Sequence, residues 1–354
     1  MGDTSISWTD KVWNPTRGCS LVSAGCTNCY AMRQAHRFAG KGKPFEGLTK
    51  TTPTGPKWTG EVRLAPEMLA LPLRWRKSQR VFVNSMSDLF HEKLTNEQIA
   101  AVFGVMAAAP RHTFQVLTKR AKRMREWFVW ARGDFTEQQR GIASAPNTTR
   151  ALLDAAFEHL GHAWKPALDA HWKSDEAEVD AWPLRNVWLG VSVENQDAAD
   201  ERIPELLTTP AAVRFLSCEP LLGEVQLFAF LKTPLRDAAL GKLGGSSSTP
   251  GVDWVIAGCE SGPGARKCKV EWLRSLRDDC SVARVPYFLK QAVDGEYLGS
   301  IPGTRHIRPL PTTPAAKLRD AVTIGDGSKR KGGGVIELPY LDGVQHAAFP
   351  TVTP

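Results

Sequence analysis

Along almost the whole chain, short runs of β-branched and aromatic residues alternate with helix-like segments, and this alternation restricts the fold more than any other feature. The strand-like runs are residues 11–16 (KVWNPT), 80–84 (RVFVN), 112–117 (HTFQVL), 186–193 (NVWLGVSV), 212–217 (AVRFLS), 252–257 (VDWVIA) and 285–289 (VPYFL). Short, largely apolar runs of this kind suit strands covered on both faces of a sheet. Helices are expected over 28–38, over 96–108, from the end of the third strand through Ala131, over about 148–173, and over 196–207 and 270–282. Thr95 and Gln98 open the second of these with a capping-box spacing, T-x-x-Q. Strands that alternate with helices run mostly parallel, because each return crossing is made by a helix. The expected fold class is therefore α/β, a partial (β/α) barrel of the TIM type with about six or seven strands. It would occupy residues 1–302, interrupted near 133–183 and at the Gly/Ser-rich stretch 231–251, with 303–354 as an extension packed on the barrel.

In such a barrel, chemistry gathers where strands end. Each run here leads into polar residues. Cys19 follows the first, and Asn84, Ser85, Ser87 and Asp88 the second. Lys119 and Arg120 follow the third, Ser192, Glu194 and Asn195 the fourth, and Cys218-Glu219-Pro220 the fifth. Cys259-Glu260-Ser261-Gly262 follows the sixth, and Lys290-Gln291 the seventh. One such cluster is an ordinary turn; the repetition at one rim favours a site. As carboxylates at the mouth, Glu219 and Glu260 are candidates for substrate binding or proton relay. Lys119 and Arg120 are candidates to neutralise an anionic group, whereas Lys122, Arg123 and Arg125 fit a solvated helix face. Asp88 and Asn195 also suit turn or helix capping. The run 258–264 (GCESGPG) resembles a backbone anion cradle.

Three of the seven cysteines, Cys19, Cys26 and Cys29, crowd into eleven residues with the spacing C-x6-C-x2-C. Three thiolates can hold three corners of a [4Fe–4S] cluster and leave the fourth iron open. Gly18 and Gly25 would let the backbone fold closely round an inorganic core. The same thiols with His36 make a Cys₃His zinc set, and spacing does not separate the two. Zinc modules are usually small and self-contained, whereas this loop ends the first strand of an apparent barrel, which favours the cluster. Cys218, Cys259, Cys268 and Cys280 have no tight spacing and fit small core residues.

The stretches WTDKVWNPTRGC, GCTNCYA, VFVNSMSDLFHE, FQVLTKR, VWLGVSVENQ, RFLSCEPLLG, DWVIAGCESGPGAR, FLKQ and LDGVQHAAFP lie between residues 8 and 350. Through them the chain resembles the radical S-adenosylmethionine (SAM) superfamily. It is similar, more closely, to a family of phage and bacterial three-cysteine-motif proteins with a longer first gap. The superfamily's usual spacing is C-x3-C-x2-C; here the first gap is six residues, and Asn28 stands where an aromatic is usual. The endings NSMSD and LTK resemble those of spore photoproduct lyase, which repairs a thymine lesion in DNA. The resemblance implies a [4Fe–4S] cluster on Cys19, Cys26 and Cys29, with SAM on the open iron. It implies that Asn84, Ser85, Ser87 and Asp88 surround the methionine moiety, Asp88 accepting from its ammonium. It sets Ser192 and Glu194 near the ribose and Tyr30 as a ring beside the cofactor, with Lys119 and Arg120 as candidates to neutralise the SAM carboxylate or a substrate phosphate. It also implies an electron donor such as flavodoxin or ferredoxin. A nucleic acid base or nucleotide is the expected substrate. A small metabolite or peptide, or a zinc-containing nucleic-acid-binding role, are the alternatives.

A net charge of +8 and a pI near 9.2 favour anionic partners, DNA or RNA first among them. The composition, 42% hydrophobic and 23% charged, suffices for a sizeable core, and most of the twelve tryptophans are expected there. No apolar run approaches the roughly 20 residues that span a bilayer. The first fifteen residues carry no apolar export segment. A cytoplasmic location without membrane attachment is expected.

Overall fold

The computed structural model of the protein describes residues 4, 6–133, 149–160, 182–232, 250–262, 264–293, 335–337, 340–342 and 344–351. Its main sheet has eight strands that neighbour one another in chain order. They are β1 (Lys11–Trp13), β2 (Arg80–Val83), β3 (Thr113–Thr118), β4 (Val187–Ser192), β5 (Val213–Cys218), β6 (Trp254–Gly258), β7 (Tyr287–Val293) and β8 (Val335–Glu337). The first seven form a parallel sheet, and β8 is antiparallel to β7. Helices α1 (Tyr30–His36), α2 (Asn96–Ala107), α3 (Ala121–Arg132), α4 (Thr149–Leu160), α5 (Gln196–Leu207) and α6 (Val270–Ala283) alternate with them. The protein is thus an α/β partial barrel of the TIM type, as the alternation requires.

The strands begin and end within about two residues of their expected positions, except that the seventh runs on to Val293 rather than 289 and the first is short. The first run stops at Trp13 rather than Thr16. Pro15 has no N–H for the ladder; its carbonyl instead accepts from Ala65 N at 2.7 Å, and Thr16–Arg17 pairs antiparallel with Arg63–Leu64. The capping box of α2 is present in both directions: Gln98 N donates to Thr95 Oγ1, and Thr95 N to Gln98 Oε1. The helix expected over 148–173 is described over Thr149–Leu160; residues 161–173 lie outside the described residues. So do 233–249 of the second interruption and 303–334 of the extension.

The chain divides into two units, Thr9–Val191 with Arg202–Arg214, and Thr4–Trp8 with Ser192–Glu201 and Phe215–Pro354. The core of the first is aromatic: Phe103 stacks on Trp127 at 4.5 Å, with Phe90, Phe128 and Trp182 around the pair. There α4 lies so close to α2 that a Cβ on Gly104 would stand 1.9 Å from the Leu152 carbonyl oxygen. A satellite core joins α1 to a ribbon of two short strands, Thr49–Thr52 and Gly55–Trp58; Ala31, Met32, Ala35, Leu48 and Trp58 are buried in it. The second unit packs round the buried Trp254, which meets Trp8, Phe215, Phe288 and Phe349. No helix among the described residues is long and apolar enough to cross a membrane.

Candidate functional site

Gly18 turns the chain out of the first strand. Its φ of +91° and a would-be Cβ 2.0 Å from Glu61 O leave room for glycine alone. Cys19 follows at once. A short 3₁₀ turn, Ala24–Cys26, and the hydrogen bond from Cys29 N to Cys26 O (3.3 Å) bring the other two thiols back before α1 begins. All three are free and partly buried, and Cys19 and Cys29 pack against the satellite core. Burial, then the Asp88 carboxylate, pushes the Cys19 thiol up to about 12; Arg120 acts against this. Burial also raises Cys29, opposed by the amides of Ala31 and Met32 and by the Lys119 ammonium. The charges of Cys26 and Cys29 act on Cys19, so the three thiols lie within electrostatic reach of one another.

Arg120 is buried at the centre of this region. Its Nη1 lies 3.0 Å from Asp88 Oδ2 and 3.8 Å from Cys19 Sγ. Its Nε donates to Glu92 at 2.9 Å, and its Nη2 to Ser20 Oγ at 2.7 Å. Burial disfavours its charge, but Asp88, Cys19 and Glu92 more than offset that, and the guanidinium stays protonated. His91 closes the network with Nε2 2.9 Å from Ser20 Oγ, and its pKa is lowered by burial and then by Arg120. None of Ser20, His91 and Glu92 was marked by spacing, although His91 and Glu92 end the stretch VFVNSMSDLFHE.

The role expected for Asp88 needs correction. Oδ1 accepts from Thr118 Oγ1 (2.7 Å) and Phe90 N (3.0 Å); Oδ2 accepts from Lys119 N (3.2 Å) and Arg120. A carboxylate has about four lone-pair sites, and here the protein fills them, so no capacity remains for a ligand ammonium. Asp88 ties the ends of β2 and β3 together and fixes Arg120. Ser87 is likewise engaged with Thr16, and Ser85 with Asn14, while Tyr30 Oη donates to Ser85 O at 2.7 Å. Asn84 differs. It is buried, holds a φ of +62°, and neither its amide nitrogen nor its amide oxygen has a hydrogen-bond partner among the described residues. A buried amide without a partner, on a left-handed backbone, makes Asn84 a candidate to meet a ligand.

The remaining rim residues belong to the second unit. Ser192 and Glu194 are buried; the charge of Glu194 acts on Arg266 and, after burial, helps hold the Cys218 thiol at about 12. Glu219 accepts from Lys290 Nζ (2.6 Å) and Gln291 Nε2 (2.8 Å). Glu260 accepts twice from the Arg266 side chain and once from its amide. Both carboxylates are therefore ion-paired, which suits binding or orientation more than proton relay. Cys218, Cys259, Cys268 and Cys280 are buried as expected, with the Cys268 thiol hydrogen-bonded to Cys259.

His36, the fourth ligand of the zinc alternative, has Nδ1 2.9 Å from Thr49 Oγ1 and Nε2 3.4 Å from Thr51 Oγ1, so the ribbon occupies both ring nitrogens. Among the described residues no three His, Cys, Asp or Glu side chains are grouped to hold one metal ion. The ligands of a four-iron cube each meet a different iron and need not converge on a point.

Fold and site together define a class: a partial (β/α) barrel with a three-thiol loop at the end of its first strand, backed by a buried arginine. Over residues 3–349 the chain matches the family described as Protein of unknown function (DUF5131), and it belongs to that family. No curated protein and no solved structure matches it.

Proposed function

We propose that this protein is a radical SAM enzyme, with a [4Fe–4S] cluster on Cys19, Cys26 and Cys29, that modifies or repairs a base or nucleotide of nucleic acid. The observation that carries the reading is the set of three free thiols at the end of β1, facing Lys119 and Arg120. Three soft donors suit iron–sulfur chemistry, and three rather than four leave one iron for a second ligand. With SAM bound, such a cluster supplies one-electron cleavage to a 5′-deoxyadenosyl radical that takes hydrogen from substrate. The chain's own residues do the positioning. Arg120, held by Asp88 and Glu92, sets a fixed positive charge against the Cys19 sulfur and so offsets the negative charge that three thiolates accumulate. Lys119 does the same toward Cys29. Asn84 offers an unused donor and acceptor at the end of β2, where the amino-acid end of SAM needs both.

The test is anaerobic purification or reconstitution. A brown protein with about four iron and four sulfide per chain is expected, lost in Cys19→Ala, Cys26→Ala and Cys29→Ala, and releasing 5′-deoxyadenosine from SAM when reduced. A colourless protein with stoichiometric zinc overturns the proposal.

A further inference from the structure

We propose, resting on the reading above, that residues 33–57, which adjoin the three-cysteine loop, form a docking surface for single-stranded nucleic acid. The stretch is strongly basic. Residues 17–58 carry seven Lys or Arg and one acid, Glu46, a local net charge of +6. Glu46 accepts from Gly42 N at 2.6 Å. Arg37, Lys41, Lys43 and Lys50 are exposed, and no carboxylate among the described residues pairs with them.

The ribbon sharpens the point. Lys50 and Lys57 stand directly opposite each other in its register. Like charges in that position repel and weaken a two-stranded ribbon, so the arrangement gains nothing for the fold and becomes favourable when an anion lies across it. Lys57 is oriented by a hydrogen bond from Nζ to Thr27 O, inside the three-cysteine loop. On α1 and the turn after it, Ala31, Met32 and Ala35 face the satellite core, while Tyr30, Gln34, Arg37 and Phe38 are exposed. Tyr30 and Phe38 are 56% and 47% exposed, large values for aromatic rings. Tyr30 adjoins Cys29, so cations and rings interleave outward from the thiols. Cations that follow a phosphate backbone, with rings on which unstacked bases lie, are what a single strand requires. A duplex keeps its bases stacked and leaves the rings without a partner.

The arginines of the run that follows β3 do not compete for this role. Arg120 is buried on Asp88 and Glu92, Arg123 donates to Asn96 Oδ1, and Arg125 pairs with Glu205.

Fluorescence anisotropy with a labelled oligonucleotide, as single-stranded DNA, single-stranded RNA and duplex DNA, tests the assignment on the full chain at increasing salt. Single strands are expected to bind more tightly than duplex. The combined variant Arg37→Gln, Lys41→Gln, Lys43→Gln, Lys50→Gln should bind with a log–log salt slope shallower by about 3, at about 0.7 per lost phosphate contact. Phe38→Ala should weaken binding at least about fivefold. These positions are exposed, so iron content and thermal midpoint should match the wild type. The proposal is overturned if the wild type binds no oligonucleotide, if duplex is preferred, or if the combined variant keeps the wild-type slope. It is also overturned if that variant retains oligonucleotide affinity but loses reduction by an acidic electron carrier, which would make the surface a protein dock. Binding as expected by a protein without iron would sink the radical reading and leave this surface standing; iron without binding would do the reverse.

Discussion

At the scale of the residue, Arg120 decides how the thiol loop is held. Its side chain is 4% exposed and that of Asp88 8%, so the pair sits where solvent screens little. Breaking a buried pair by removing one partner costs about 3–5 kcal/mol, because the other charge is left uncompensated. Arg120→Ala is therefore expected to lower unfolding free energy in urea by about that amount. Arg120→Lys should recover only part, since one ammonium cannot reach Asp88, Glu92 and Ser20 together. A loss under about 1 kcal/mol would place the pair among ordinary surface bridges. The sequence marked Asp88 and Arg120 as rim residues, but not as partners of each other. Their pairing joins the ends of two strands 32 residues apart, a distance that no local pattern encodes.

At the scale of the element, α2 shows two effects pulling in opposite directions at one position. Replacing Gly104 by Ala adds helix propensity worth about 1 kcal/mol. The new methyl would meet the Leu152 backbone at 1.9 Å, and a backbone oxygen cannot swing away as a side chain can. Overpacking costs about 1–3 kcal/mol, more where backbone must move, so a net destabilisation in urea is expected for Gly104→Ala. A gain in stability would show that α4 does not approach α2 so closely. The helix itself, with its Thr95–Gln98 capping box, was legible because caps and periodicity are local. That its Gly104 serves a helix crossing was not, because α4 lies 45 residues further along the chain.

At the scale of the whole molecule, the second unit is closed by the end of the chain. Leu289 N donates to His346 O and Trp254 Nε1 to Ala348 O, each at 2.8 Å. Phe349 packs on Trp254 at 5.2 Å and Phe288 at 5.3 Å. Phe349→Ala is expected to cost about 1–3 kcal/mol, and removing residues 335–354 more, since the two donors then lose their acceptors. Thermal unfolding of both variants checks this; an unchanged midpoint in the truncated chain would mean that the segment only decorates the unit. By itself, the sequence determined the order of strands and helices, the capping of α2 and the thiol loop at the end of β1. Each depends on residues within one or two turns of chain, where periodicity and spacing carry the physics. Only the tertiary structure decided which polar rim residues are already spent. It paired Asp88 with Arg120, Glu219 with Lys290 and Glu260 with Arg266, and it left the Asn84 amide without a partner among the described residues. It also exposed Lys50 on the ribbon while engaging Arg120, Arg123 and Arg125 after β3 with protein partners. A buried polar group takes whichever partner the fold brings within about 3 Å, and that choice is made between strand ends far apart in the chain.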